Sequence, residues 1–231
     1  MVAEQAQLLL RGIYVHRFQK QDFYPGVLDP VPAVQEVVDN LDNLTVAEME
    51  SQLYRIFSSQ RDLHLNYIFP APYSGFQSFL PLTFKRVQGS AGFFSVHVDT
   101  TNEEDFATYA SDQRVPEVGD QVVAFNGIPI RSAVDDLVEV GQGANTFGGF
   151  SRALSRLTFR PHLLTLVPEE DEVTITFQTA KKSGRYGSQF ERYTITLPWL
   201  TVGPPPVVEE EIQILSSSCL LYTSPSPRDR G

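Results

Sequence analysis

Five stretches between Phe79 and Leu200 carry a β-strand pattern, and this pattern constrains the fold more than any other feature of the sequence. Apolar and polar residues alternate along several of them, as in strands with one buried face. The stretches are FLPLTFKRV, GFFSVHV, DQVVAFNG, EVTITFQT and RYTITLPWL. Two predicted helices, at about 131–140 and 147–157, separate the third stretch from the fourth. Five strands and two helices predict a small α+β domain.

The residues before this β region are predicted to be mainly helical. Helices are expected over 3–19 and 33–40, with the proline-rich YPGVLDPVP between them as an extended connector. A third helix begins at Thr45, because TVAE places Thr and Glu three residues apart as a capping box. Its apolar residues recur at helical spacing: Val46, Met49, Leu53, Ile56 and Phe57. Residues 65–69 are predicted to form a short strand.

Composition argues against several classes of function. The net charge of −10 opposes binding to nucleic acid or to an anionic membrane surface. No apolar run approaches the roughly 20 residues of a membrane span, and MVAEQAQLLLRG is too short and too acidic for a signal peptide. The compartment and the oligomeric state are not assigned from the sequence.

The last residues differ abruptly in composition from the rest. Cys219–Asp229 match the translation of an adapter used in transposase-based sequencing libraries. We therefore expect 216–231 to be a disordered, non-native tail, the alternative being a natural Ser/Pro-rich terminus. The only cysteine, Cys219, lies in this tail, so no disulfide, thiol nucleophile or zinc site is expected.

The most specific local pattern is VPEVGDQVVAFNGIPIRSAVDDL. Gly119-Asp120 turns into a strand, Asn126-Gly127 turns the chain back, and a helix starts near Ile130. This arrangement resembles the PDZ domain, which binds peptides by adding them to a sheet edge. The glycine-rich carboxylate-binding loop of peptide-binding PDZ domains is replaced by FLPLTF. Capture of a peptide C-terminus is therefore not implied.

A second resemblance begins ahead of this region. Asp62-Leu63-His64 leads into NYIFPAPY and SFLPLTF, and GQGANTFGGFSRALSRLTFR follows later. This order resembles the S41 family of serine peptidases, the tail-specific or C-terminal processing proteases, in the branch that includes the chlamydial protease-like factor. The resemblance spans residues 5–200. It implies that His64 belongs to a Ser–His–Glu catalytic set acting on polypeptide substrates, without a cofactor.

On this interpretation His64 is the general base, since a neutral imidazole accepts a serine proton at pH 7. The serine and the glutamate are expected beyond the present residues, in an α/β domain that is absent, so the 231-residue chain is expected to be inactive. The alternative is a structural histidine whose ring bonds nearby backbone. For His16, His97 and His162 we expect surface or strand-end positions, with no partner at a useful spacing in the sequence.

Other candidate sites are weaker. No histidines have metal-ligand spacing, so no metal is predicted. The acidic run 169–172 is expected to be a solvated turn. Serines 183 and 188 lie in a polar loop without a nucleophile elbow, and GQGAN lacks the lysine of a phosphate-binding loop.

The sequence thus predicts four segments. Residues 1–72 form a helical region that ends in the Asp-x-His motif, and 73–200 form the PDZ-like domain. Residues 201–215 form a proline-rich acidic linker, and 216–231 form the tail. Two functions remain open: the N-terminal part of a serine endopeptidase, or a non-catalytic PDZ-like peptide-binding module.

Overall fold

The computed structural model describes residues 2–24, 27–89, 93–140, 146–181 and 189–203. The chain combines N-terminal helices with a mixed domain that carries most of the strands. The predicted α+β class is confirmed.

Seven α-helices lie in the described residues, and none of them is long and apolar enough to cross a membrane. They are α1 (Val2–Gly12), α2 (Arg17–Phe23), α3 (Pro30–Asp39), α4 (Val46–Ser59), α5 (Glu103–Tyr109), α6 (Ile130–Val140) and α7 (Thr146–Arg156). One-turn 3-10 helices lie at Leu41–Asn43 and Tyr73–Gly75.

The predicted helix over 3–19 is wrong, because two helices occupy that stretch. Both Ile13 and Tyr14 donate their backbone N–H groups to Leu9 O, at 2.9 Å, and this bifurcated pattern ends α1. Helix α3 begins three residues earlier than predicted. Asp29 caps it by accepting a hydrogen bond from the Val31 N–H, and proline is favoured at the first helical position.

The capping box of α4 is confirmed. Thr45 Oγ1 accepts a hydrogen bond from the Glu48 N–H at 3.2 Å, and the Thr45 N–H donates to Glu48 Oε2 at 2.8 Å. This reciprocal pair satisfies two backbone groups that the helix leaves unbonded at its start.

In the described residues, nine strands form two sheets. They are β1 (Gln77–Phe79), β2 (Leu82–Gln88), β3 (Phe94–Thr101), β4 (Gln121–Phe125), β5 (Ile128–Pro129), β6 (Phe159–Pro161), β7 (Glu172–Lys181), β8 (Gln189–Pro198) and β9 (Leu200–Val202). The larger sheet is antiparallel in the order β2-β3-β4-β7-β8, with β5 paired to β4. Its five long strands are the five stretches predicted from the sequence.

Both predicted turns around β4 are present. Gly119 has a φ of 99°, and the buried Asp120 side chain accepts a hydrogen bond from the Glu117 N–H at 3.1 Å. Asn126 and Gly127 have φ values of 48° and 75°, so they lie consecutively in the left-handed region. The Asn126 side chain also accepts a hydrogen bond from the Thr174 N–H on β7 at 2.9 Å.

A smaller sheet of three short strands was not predicted. Its order is β6-β1-β9, and Gln77 of β1 lies opposite Val202 of β9. The first two residues assigned to the linker therefore belong to a strand. Gly203 follows against the Phe76 ring, where an added Cβ would lie 2.1 Å from a ring carbon. The linker beyond Gly203 and the tail lie outside the described residues.

The predicted strand over 65–69 is wrong. Leu65, Tyr67 and Phe69 are buried, and Ile68 is exposed, so side chains do alternate as in a strand. No neighbouring strand pairs with this stretch in the described part of the chain, although the Phe69 N–H donates to Leu163 O at 3.0 Å. Alternation reflects one buried face and does not by itself supply a pairing partner.

Two hydrophobic cores are seen among the described residues. One lies between α1, α3, α4 and the 65–69 stretch, and its most buried side chains include Leu10, Val34 and Leu53. The other lies between the larger sheet and helices α5, α6 and α7 and includes Phe106 and Phe177. Helix α4 contacts α6, so the two cores adjoin.

Candidate functional site

His64 lies in a turn just after α4. Its side chain is 98% exposed. Two open depressions, each of about 280 Å³, adjoin the ring: one is lined also by His16 and Lys20, the other also by Leu9 and Tyr14. The imidazole is thus accessible to a substrate or to a second group approaching from solvent.

Asp62 holds this turn in place. Its Oδ1 accepts a hydrogen bond from the His64 backbone N–H at 3.0 Å and lies 3.5 Å from His64 Nδ1. Its Oδ2 accepts a hydrogen bond from the Tyr14 hydroxyl at 3.3 Å and lies 4.0 Å from Lys20 Nζ. The carboxylate therefore ties the His64 turn to α2 and to the connector between α1 and α2.

The surroundings of Asp62 favour its charged form. Burial raises its pKa, but the His64 N–H, the charge of Lys20 and the Tyr14 hydroxyl together hold the pKa below its usual value. In turn, burial and the neighbouring Asp62 charge raise the pKa of Tyr14, which stays a neutral donor. A negative charge therefore lies beside Nδ1 of His64 at neutral pH.

His162 lies at a strand end, as expected, because it directly follows β6, but it is buried and has a distant partner. His162 is 4% exposed, and its Nε2 lies 2.9 Å from Oγ of the buried Ser78. Ser78 Oγ also lies 3.1 Å from Thr201 Oγ1. This buried serine–histidine pair joins β1, β9 and the residue after β6. Its members are 84 residues apart, so no local spacing in the sequence indicates the contact.

His16 and His97 also have partners. His97 lies within strand β3, with Nε2 2.7 Å from Ser95 Oγ and Nδ1 2.8 Å from Gly119 O. His16 precedes α2, and its Nδ1 lies 2.7 Å from Gln19 Oε1. The His16 contact and the Ser95 contact of His97 are local, whereas the Gly119 contact joins residues 22 apart in sequence.

The remaining candidates are placed as follows. In the acidic run, Glu170 lies 3.9 Å from Arg160, so the run is more than a solvated turn. The 183–188 loop and GQGAN lie outside the described residues. Within the described ranges, no group of three or more His, Cys, Asp or Glu side chains is arranged to hold a metal ion.

A second candidate site is the edge of the larger sheet at β2. Helix α7 packs against this strand. The Arg86 guanidinium of β2 lies 5.5 to 5.9 Å from the centroids of three rings: Phe94, Phe147 and Phe150. Phe147 is 72% exposed, so an apolar and cationic surface borders the strand edge.

The stretch just before β2 is already bonded within the chain. Strand β1 pairs with β6 on one side and β9 on the other, and the Leu80 N–H donates to Thr158 O at 2.9 Å. A PDZ carboxylate-binding loop requires backbone N–H groups that are free to bind a ligand. The structure therefore gives a physical reason why FLPLTF is a poor substitute for that loop.

A family model described as PDZ domain matches residues 76–210, more than half of the chain. The chain therefore belongs to the PDZ domain family. No curated protein matches its sequence.

Solved structures of CPAF, a chlamydial protease, share the fold. Mature CPAF superposes with a TM-score of 0.61 at 18% identity, covering 98% of this chain and 37% of its own. Mature CPAF complexed with lactacystin gives a TM-score of 0.61 at 17% identity, covering 100% and 38%. The chain thus spans less than two fifths of the CPAF chains that it resembles.

Proposed function

We propose that this chain is the N-terminal part of an S41-type serine endopeptidase and that His64 is its general base. The observation that carries this proposal is the exposed His64 imidazole, held in a turn by Asp62. The fold likeness to a protease over nearly the whole chain supports it. We extend the proposal to the four segments 1–72, 73–200, 201–215 and 216–231, the last as translated adapter.

The chemistry proposed for His64 is proton transfer. With Nδ1 beside the Asp62 carboxylate, Nε2 is the nitrogen available to accept the proton of a serine nucleophile and return it to the leaving amine. The serine, the glutamate and the oxyanion donors belong to residues beyond these 231. The chain alone therefore cannot complete acyl transfer and is expected to be inactive.

The test is substitution of His64 in the protein translated from the uninterrupted gene. We expect His64→Ala to lower the initial rate of casein cleavage by about 10²–10⁴-fold, the usual contribution of general acid–base catalysis, with unchanged thermal unfolding. The control is His16→Ala, because His16 lines the same depression and its loss should leave the rate unchanged. Wild-type turnover by H64A would overturn the assignment.

The gene itself tests the extent of the protein. A reading frame that continues past the codon for Leu215 for a couple of hundred residues, with a serine at a strand-to-helix turn and a later glutamate, supports the endopeptidase. A native stop codon just after the linker contradicts it.

The second candidate function is a non-catalytic peptide-binding module. It is favoured by membership of the PDZ domain family and by the Arg86 surface along the β2 edge. Measuring the binding of labelled hydrophobic peptides with free and with amidated C-termini distinguishes a peptide-binding module from a domain of the peptidase. Micromolar binding that requires the free C-terminus favours the module, whereas indifference to the C-terminus favours a regulatory or structural domain of the peptidase.

A further inference from the structure

A separate cavity lies between α4 and the segment that follows β6. Its volume is about 310 Å³; Glu50 lines it from α4, and His162, Leu166 and Glu169 line it from the opposite side. It shares no lining residue with the two depressions beside His64. A ligand of this cavity would therefore bind independently of the role proposed for His64.

Glu50 is the unusual residue of this cavity. It lies on the core-facing side of α4, one turn before the buried Leu53 and Tyr54. It is 5% exposed, and within the described residues its carboxylate has no hydrogen-bond or ion-pair partner. Its carboxylate oxygens are not among the fully enclosed polar atoms without partners in the described residues, so they open onto the cavity, where a ligand can pair with them.

The other lining groups define the charge and polarity of that ligand. No lysine or arginine lines the cavity itself. The exposed Glu169 is shared with an adjoining depression and interacts there with Arg160, whereas no neighbouring cation acts on Glu50. His162 Nε2 already contacts Ser78 Oγ, and burial, together with the nearby Arg160 charge, lowers the His162 pKa, so the ring is neutral at pH 7. The cavity therefore favours a positive charge over a negative one.

The walls are suited to an apolar stem. Phe69 is buried, Leu166 is partly buried, and Tyr73 is 39% exposed at the opening. Aromatic rings attract cations through their faces as well as covering apolar carbon. A ligand with a cationic group at Glu50 and an apolar part along these side chains would be bound by both the charge and the apolar surface.

We propose that this cavity binds an organic cation, an ammonium or guanidinium group on an apolar stem, with Glu50 accepting its hydrogen bonds. The same chemistry is found in a small amine and in a lysine or arginine side chain of a peptide. In either case the ligand supplies the pairing that Glu50 lacks within the described chain.

The test is calorimetric titration of the 231-residue chain with benzylamine, which is protonated at pH 7, and with benzyl alcohol, its neutral counterpart. We expect benzylamine to bind at least about tenfold more tightly, since a charge-assisted hydrogen bond is worth that factor or more. Glu50→Gln should abolish this preference. Glu36→Gln removes a carboxylate from the exposed surface of α3 and should preserve it.

Equal binding of the two probes, no benzylamine binding, or an undiminished preference in E50Q would each overturn the proposal. Thermal unfolding of E50Q verifies that the variant is folded. Competition with acetyl-Ala-Lys-Ala-amide and its norleucine analogue then distinguishes the sources. Displacement of benzylamine by the lysine peptide alone identifies a peptide side chain, whereas displacement by neither identifies a small amine.

Discussion

The burial of Glu50 is also expected to affect the free energy of unfolding. Burial raises the pKa of its carboxyl above the ordinary value of 4.5, so the folded chain holds this proton more tightly than the unfolded chain. Stability contributed by such a group falls as pH rises from the unfolded pKa through the folded one. At neutral pH, Glu50 is therefore a destabilising residue.

We expect Glu50→Gln to raise the free energy of unfolding by about 1 kcal/mol at pH 7, within the range that single relieving substitutions give. The gain should vanish below the unfolded pKa, where the carboxyl is protonated in both states. Urea denaturation at pH 7 and pH 3.5 measures both values, with Glu36→Gln as the exposed control. A gain that is equal at the two pH values would contradict the assignment.

The neighbouring Tyr67 lies in the same buried surroundings as Glu50. Burial, and secondarily the charge of Glu50, raises the pKa of Tyr67 to about 12, so its hydroxyl stays protonated throughout the physiological range. Tyr67 packs edge-on against Phe57 and Phe69 in the helical core. A charged ligand at Glu50 would thus lie close to the side chains that hold α4 in place.

At the scale of elements, the β4–β5 turn depends on two consecutive left-handed residues. We expect Gly127→Ala to lower the free energy of unfolding by about 1–2 kcal/mol, because Ala is strained at a φ of 75° even where space is open. Chemical denaturation measures the difference.

Gly12→Ala is the matched control. Gly12 ends α1, has no positive φ, and a Cβ added there meets nothing within 4 Å. This substitution should be neutral or slightly stabilising. Equal destabilisation by the two changes would mean that backbone conformation does not limit the turn.

Elements with a local signal could be predicted from the sequence. The five long strands alternate, α4 carries its capping box, and the turns at Gly119 and Gly127 carry the residues that a positive φ favours. The smaller sheet could not be predicted, because strands of three residues, far apart in sequence, are too short to show a period.

The candidate sites were likewise only partly predictable from the sequence. His64 was singled out by the motif around it. The contacts that hold Asp62 in the turn involve Tyr14 and Lys20, which lie more than 40 residues before Asp62. Nothing in its local sequence sets Glu50 apart, since a glutamate on a helix is usually solvated. Its burial depends on residues distant in sequence, such as Phe69 and the 162–169 segment that line the cavity with it.

At the scale of the whole molecule, the N-terminal helical region exposes several large apolar side chains, of which Ile13 and Val15 line a depression beside His64. The most exposed are Leu8, Ile13, Val15, Phe18, Phe23, Leu28 and Val46, each at least 66% exposed. Apolar side chains that form a continuous exposed patch are typical of surfaces that contact other proteins or domains.

We expect the 231-residue chain to self-associate reversibly at tens of micromolar because these side chains leave water when two copies meet. Replacing Val15 and Phe18 with serine should shift sedimentation toward the monomer. The control is Phe190→Ser, since Phe190 is 62% exposed on β8, away from the helical region. Association that persists in the double variant, or is lost in the control, would place the contact elsewhere.

The register of the smaller sheet has a mechanical consequence. Because Gln77 lies opposite Val202, the chain enters and leaves the PDZ domain at the same end of the β1–β9 pair. A force pulling residues 76 and 203 apart would load the hydrogen bonds of that pair one after another, as in a zipper, rather than all together in shear. The domain would then yield first at this seam, releasing Phe76 from Gly203 while the larger sheet keeps its own pairing.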